Sequence, residues 1–198
     1  MCNPENIAEV AELQPDYMGF IFYEKSPRYV GEQFVMPAIK STIQKVGIFV
    51  NQDNSYILSK VEKCKLDFVQ LHGTETAEQC KLLADKGLKI IKAFSIDESF
   101  DFKAIRSYTE YVNYVLFDTK GKHFGGNAKV FDWQLLQQYD QQIPFFLSGG
   151  ISSENVVGIA RIKSMNLHAL DVNSGVEVSP GIKNISKINE LKRVLDSW

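Results

Sequence analysis

Two kinds of segment alternate along this chain. Short runs of β-branched and aromatic residues fall at 17–23, 45–50, 68–72, 89–95, 114–118, 145–148 and 169–172. Around them lie stretches whose apolar residues recur at helical spacing, at 3–13, 31–43, 54–64, 76–86, 100–108, 133–139, 153–161 and 184–195. The first set predicts strands and the second amphipathic helices. Cap chemistry agrees at two helix starts. Asn3-Pro4-Glu5 puts proline at the first helical position, and Ser152-Ser153-Glu154-Asn155 offers a hydroxyl cap with an acid in the first turn. Strict alternation predicts parallel strands joined by right-handed crossovers. No Pro-, Gly- or Ser-rich linker interrupts the pattern, so 1–198 reads as one domain.

The pattern has eight helices but seven strands, and it opens on a helix. It fits either an open doubly wound sheet or a (β/α)8 TIM barrel whose first strand is missing from this chain. Polar residues gather at the C-terminal ends of the strands: Gln70 and His72, Asp118, Ser148, Asp171 and Asn173. Barrel enzymes place their chemistry on that side. No GxGxxG follows any strand, so a dinucleotide fold gains no support.

Composition narrows the function classes. A hydrophobic fraction of 44% and a charged fraction of 23% are those of a globular protein, not of a disordered or fibrous one. The net charge of −2 comes without a basic stripe, which argues against nucleic acid as a partner. An anionic substrate must then be held by local groups. No apolar run approaches the roughly 20 residues of a membrane span, and 1–4 has no signal-peptide pattern. The three cysteines, Cys2, Cys64 and Cys80, form no CxxC pair, and a reducing cytoplasm fits them best. Cys64 and Cys80 read as structural thiols.

Candidate chemistry sits at the strand ends. Leu147-Ser148-Gly149-Gly150 and Asp171-Val172-Asn173-Ser174-Gly175 each end a short strand in small residues, which lets backbone N–H groups approach a phosphate. Barrels bind phosphate in the loops after their last two strands. Asp118 would project into the barrel mouth beside apolar residues. There its charged form is disfavoured, which suits it to give up a proton, although a bracing or capping carboxylate would sit there equally well. Gln70 and His72 share one side of their strand, as do Asp171 and Asn173. Arg28 follows the first predicted strand and offers a planar fork for a carboxylate, or else a surface salt bridge. Gly125 and Gly126 lie in a loop at 120–130 whose length suggests a lid, with Lys120, Lys122 and Lys129 able to attract an anion. His123 and His168 read as structural. No His/Asp/Glu group has metal-ligand spacing, and no serine sits in a nucleophile elbow.

Taken in order, these segments resemble the phosphoribosylanthranilate isomerase family of tryptophan biosynthesis. Gly19-Phe20-Ile21-Phe22-Tyr23 with Lys25-Ser26-Pro27-Arg28-Tyr29 is similar to its second strand and arginine loop. Val46-Gly47-Ile48-Phe49-Val50-Asn51 and Val69-Gln70-Leu71-His72-Gly73 are similar to the third and fourth strands. Phe117-Asp118-Thr119, then Phe124-Gly125-Gly126 with Phe131-Asp132-Trp133, are similar to the sixth. The two glycine-bearing ends, the second extending to Val176-Glu177, are similar to the last two. The resemblance implies an aldose–ketose rearrangement of N-(5-phosphoribosyl)anthranilate, with Asp118 as general acid on the ring oxygen. It also implies Arg28 at the anthranilate end, phosphate on the glycine turns, and no metal or organic cofactor. It implies a cytoplasmic enzyme, monomeric or homodimeric, whose partner is a small phosphosugar. Two other readings remain. A synthase of the same pathway type needs a catalytic lysine at a strand end, for which Lys92 is the only candidate. A non-catalytic phosphosugar-binding barrel would bind without turnover.

One departure from the family pattern bears on activity. The family's general base is a cysteine in a Cys-Gly stretch ending the first strand, and alignment on Glu5 puts it two positions before Met1. Three accounts are open: an upstream start, Cys2 as a substitute base, or an inactive relic. Removing a strand leaves ladder edges unpaired and opens the core. The chain as written is therefore expected to be poorly stable and nearly inactive, and a preceding segment ending in Cys-Gly is expected to restore both. Equal turnover and equal melting temperature with and without it would refute this.

Overall fold

The computed structural model describes residues 1–119 and 132–196. Its elements run α1 (Pro4–Glu12), β1 (Tyr17–Ile21), β2 (Gln44–Phe49), α2 (Asn54–Cys64), β3 (Phe68–Leu71), α3 (Ala77–Ala84) and β4 (Ile90–Ile96). They continue through β5 (Tyr114–Thr119), β6 (Phe145–Leu147), β7 (Leu167–Leu170), a hairpin of β8 (Glu177–Ser179) and β9 (Ile182–Lys183), and α4 (Ile185–Asp196). Local chemistry sets the helix starts. The Asn3 side chain accepts a hydrogen bond from the Asn6 N–H at 2.8 Å, with Pro4 in the first turn. The Thr76 hydroxyl does the same for Gln79 at 3.2 Å.

β1 to β7 form one parallel sheet in strictly sequential order. A doubly wound sheet reverses its order at a switch point, so the open-sheet alternative falls away and the fold is that of a (β/α)8 barrel. The sheet curls until side chains of its two edge strands touch across its open side: the Tyr17 hydroxyl on β1 lies 2.7 Å from His168 Nε2 on β7. Four inward-facing rings from alternate strands form one closed layer at this end. Tyr17 meets Phe68 at 5.8 Å, Phe68 meets Tyr114 at 5.8 Å, Tyr114 stacks on His168 at 4.2 Å, and His168 returns to Tyr17 at 5.7 Å. Phe146, Val46, Ile91, Ala93 and Leu116 fill the interior with them. This alternation is how small barrels fill their interiors. A second core lies between the sheet and the outer helices, with Phe20, Phe22, Phe49, Phe117 and Phe145 fully buried.

Some expected elements differ. No helix forms over 31–43. Gly31 is left-handed (φ 93°), Pro37 has no N–H to donate, and it biases Met36 toward extended backbone. Phe34, Met36 and Ile39 still pack on the core one at a time. The helical stretches at 100–108, 133–139 and 153–161 are 3₁₀ segments, at Phe102–Tyr108, Trp133–Gln138 and Val156–Ile162. Their buried residues recur every three positions (Phe102 and Ile105; Trp133 and Leu136; Val156, Ile159 and Ile162), which matches the three-residue turn better than 3.6. Asn155 makes no side-chain cap there. Its amide accepts from the Ser152 N–H and donates to the Gly150 carbonyl. β7 begins two residues earlier than the pattern indicates, across a register shift between Phe145 and Phe146.

The β8–β9 hairpin, turned at Gly181 (φ 86°), has no sequence precedent in the alternating pattern. It is held to α1 by one side chain. Asn6 accepts from the Lys183 N–H at 2.7 Å and donates to the Lys183 carbonyl at 2.9 Å, both buried. Asn6→Ala would orphan both backbone groups. The expected loss is about 1–3 kcal/mol, read as a lower urea midpoint with unchanged m-value; an unchanged midpoint would show that the contact contributes nothing.

Candidate active site

The parallel arrangement brings every strand's C-terminal end to one face, and alternation turns every second residue inward. Gln70 and His72 at the end of β3, Asp118 on β5, Ser148 after β6 and Asp171 after β7 come together there. Gln70 Nε2 donates to His72 Nδ1 at 2.8 Å. An amide nitrogen can only donate, so Nδ1 is the acceptor and the neutral imidazole carries its proton on Nε2. That nitrogen faces Asp118 Oδ2 at 3.2 Å. The other carboxylate oxygen of Asp118 accepts from the Thr119 N–H at 2.8 Å, and the residue is 4% exposed. The Ser148 hydroxyl donates to Asp171 at 3.0 Å. Burial, and then the nearby Asp118 carboxylate, push the Asp171 carboxyl above its ordinary range, against the pull of Ser148 and His72.

The glycine turns stand beside these acids. Gly149 and Gly150 are both left-handed (φ 93° and 70°). A Cβ on Gly149 would press into Thr119 and come within 2.9 Å of Asp118 Oδ1, so this backbone lies directly against the carboxyl. A Cβ on Gly175 would collide with the Ile151 carbonyl, which sets the Ser174–Gly175 turn against the Gly149–Gly150 turn. Gly125, Gly126, His123 and the three lysines at 120, 122 and 129 lie outside the described residues.

Two expectations change, for the Asp171–Asn173 pair and for Lys92, and Arg28 forms the ion pair that was one of its two readings. Asp171 and Asn173 do not act as a pair on one strand face, because β7 stops at Leu170. Asn173 instead accepts from Lys183 Nζ through its backbone oxygen (3.0 Å) and its side-chain oxygen (2.7 Å). Arg28 does not stand free. Its Nε and Nη2 fork onto Glu177, with Nη2–Oε2 at 2.7 Å. Lys92 is no strand-end nucleophile. It points to the outer side of β4, where its ammonium donates to the Leu71, Gly73 and Ala93 carbonyls and to Glu75 at 3.0 Å. Cys2 turns its sulfur to the Gly181 carbonyl at 3.8 Å. Cys64 and Cys80 are buried, and burial raises the Cys80 thiol to about 11. Among the described residues no group of His, Cys, Asp and Glu could hold a metal ion, and no helix is long and apolar enough to cross a membrane.

Sequence reasoning missed Glu177 and Lys183 as members of this face. The signals were the Val176-Glu177 end of the last motif and the Pro180-Gly181 turn just after it, which folds Lys183 back beside Glu177.

Because the Asp171 carboxyl is raised, its ionisation opposes folding once the pH exceeds its ordinary range. Asp171→Asn keeps an acceptor for Ser148 and removes the charge. At pH 7 it is expected to raise the melting temperature by a few degrees, and the gain should shrink as the pH falls toward 4. A lower melting temperature at pH 7 would contradict this.

Residues 2–193 match a family model described as N-(5'phosphoribosyl)anthranilate (PRA) isomerase. N-(5'-phosphoribosyl)anthranilate isomerase of Parabacteroides distasonis is 42% identical, over 98% of this chain and 90% of that protein. The crystal structure of phosphoribosyl anthranilate isomerase from Thermotoga maritima superposes with a TM-score of 0.86 at 33% identity, covering 100% of this chain and 96% of that one. A phosphoribosyl anthranilate isomerase solved in complex with reduced 1-(o-carboxyphenylamino)-1-deoxyribulose 5-phosphate superposes at 0.81 with 31% identity and the same coverage. A sequential parallel barrel with its acids against two glycine turns, and likeness over nearly the whole length, lead to one conclusion: the chain belongs to the N-(5'-phosphoribosyl)anthranilate isomerase family.

Proposed function

We propose that residues 1–198 act as one barrel domain that converts N-(5'-phosphoribosyl)anthranilate to 1-(2-carboxyphenylamino)-1-deoxyribulose 5-phosphate, an Amadori rearrangement in tryptophan biosynthesis. Asp118 is the general acid. It gives its proton to the furanose ring oxygen, the C1–O bond breaks, and the nitrogen lone pair forms an iminium at C1. A general base, the role the resemblance gives to a cysteine at the end of the family's first strand, takes the C2 proton. The C–H electrons form the C1–C2 double bond of an enolamine as the iminium nitrogen recovers its lone pair, and the enolamine tautomerises to the ketone. His72 orients Asp118, and Gln70 fixes the imidazole that does so. Asp171, held by Ser148, keeps a second carboxyl beside the first, and the Asp118 carboxylate adds to burial in pushing it above its ordinary range.

The phosphate lies on the backbone of Gly149, Gly150, Ser174 and Gly175, turns packed so closely on Thr119, Asp118 and the Ile151 carbonyl that neither 149 nor 175 has room for a Cβ. Arg28 meets the anthranilate carboxylate through Nη1, the edge of the fork that Glu177 leaves unused. The enzyme works in the cytoplasm as a monomer or homodimer on a free phosphosugar. Every residue invoked comes from one chain, so either state leaves the site complete in these groups.

The observation that carries this reading is the contact between the Asp118 carboxyl, its His72 partner and the Gly149 turn. The test follows loss of substrate anthranilate fluorescence in a coupled assay. Asp118→Asn is expected to lower turnover by about 100-fold or more, with binding of the reduced product analogue retained. Unchanged turnover would remove Asp118 from the acid role.

A further inference from the structure

One carboxylate at the mouth accepts from four donors. Glu177 takes the Nε and Nη2 of Arg28, the Nζ of Lys183 at 3.2 Å and the N–H of Gly181 at 3.0 Å, and its side chain is 5% exposed. Lys183, 9% exposed, spends its remaining donors on the two oxygens of Asn173. A continuous chain of bonds therefore runs Arg28–Glu177–Lys183–Asn173. It ties the loop after β1 to the turn after β7, across the open side of the sheet.

Two features distinguish this knot from a surface salt bridge. First, the contact to Arg28 engages two adjacent nitrogens of a rigid fork, which fixes the plane of the guanidinium as well as its distance. Second, two cations share one carboxylate, so Glu177 is engaged from both sides, while burial holds the Lys183 ammonium below its ordinary range against the pull of Glu177. Burial would raise the Glu177 carboxyl, but the Arg28 hydrogen bonds and the Lys183 charge outweigh burial and hold it below its ordinary range.

We infer that Glu177 is a positioning residue for carboxylate recognition, locking Arg28 in the orientation that presents Nη1 to the carboxylate of the anthranilate ring. An arginine on a loop otherwise loses side-chain freedom on each binding event; a fork already held loses little, so affinity is gained before the ligand arrives. The second link, through Lys183 to Asn173, fixes that arm relative to the glycine turns, so the spacing between carboxylate and phosphate recognition is set by the protein. This inference rests on the proposed function, which supplies the carboxylate that Arg28 meets.

The experiment compares two ligands on the full chain by calorimetry: the reduced product analogue, and the same molecule with phenyl in place of carboxyphenyl. Glu177→Gln keeps the shape and removes the charge. It is expected to weaken the carboxylate-bearing ligand about tenfold and the phenyl ligand less than about twofold. In an Arg28→Ala background the same change should alter neither by more than about twofold. Equal weakening of both ligands, or an undiminished effect without Arg28, would overturn the inference and leave Glu177 a structural brace. If Glu177→Gln folds poorly, Glu177→Asp, with the charge retained on a shorter arm, is expected to show the same ligand selectivity in smaller measure; loss of both ligands there would also overturn it. An Arg28→Ala protein that binds both ligands as tightly as the unaltered chain would instead refute the role given to Arg28, and so separates the two failures.

Discussion

Removal of two neighbouring carboxyl groups from water is the constraint around which the barrel mouth is arranged. Asp118 is nearly inaccessible and Asp171 half-buried, and each receives its own donors: His72 and the Thr119 N–H for the first, Ser148 for the second. Those donors sit on different strands and can converge only because the strands are parallel and in sequential order. The bare backbone at Gly149 is part of the same solution, since a Cβ there would occupy the space that Asp118 and Thr119 need. The electrostatic strain is kept, not relieved, and shows as the raised Asp171 carboxyl.

The second charged knot is treated in the opposite way. Glu177 is saturated by Arg28, Lys183 and Gly181, so its charge is fixed and its neighbours are immobilised. A third pair, Lys92 with Glu75, lies outside the sheet wall, where Glu75 also accepts from the Asn51 and Gly73 N–H groups and so braces the loops after β2 and β3. The three clusters divide the work by how well they are satisfied. The neighbouring acids leave the Asp171 carboxyl raised, the forked pair holds a binding arm still, and the fully bonded pair supports the loop that carries His72.

Much of the site was legible because polar residues at strand ends are few and each breaks an apolar run. Gln70, His72, Asp118, Ser148 and Asp171 all stood out for that reason. Glu177 and Lys183 did not, because they sit in a polar stretch where charge is unremarkable, and their importance comes from a hairpin turn at Gly181 that local periodicity does not register. The expected helix at 31–43 failed because its apolar spacing outweighed Pro37 in the reading, whereas in the chain the missing N–H at Pro37 weighs more. The 3₁₀ segments failed more mildly: three- and 3.6-residue periods differ little over two turns.

The sequence by itself determined the alternation of strands and helices, the polar character of the strand ends and the family likeness, because these depend on residue type at short spacing. Tertiary structure alone decided that the sheet curls until Tyr17 and His168 touch across its open side, that Arg28 answers to Glu177 before any ligand, and that the raised carboxyl is that of Asp171. Each depends on groups that distant parts of the chain bring within hydrogen-bonding or Coulombic range, and distance in space, unlike spacing along the chain, exists only once the fold has formed.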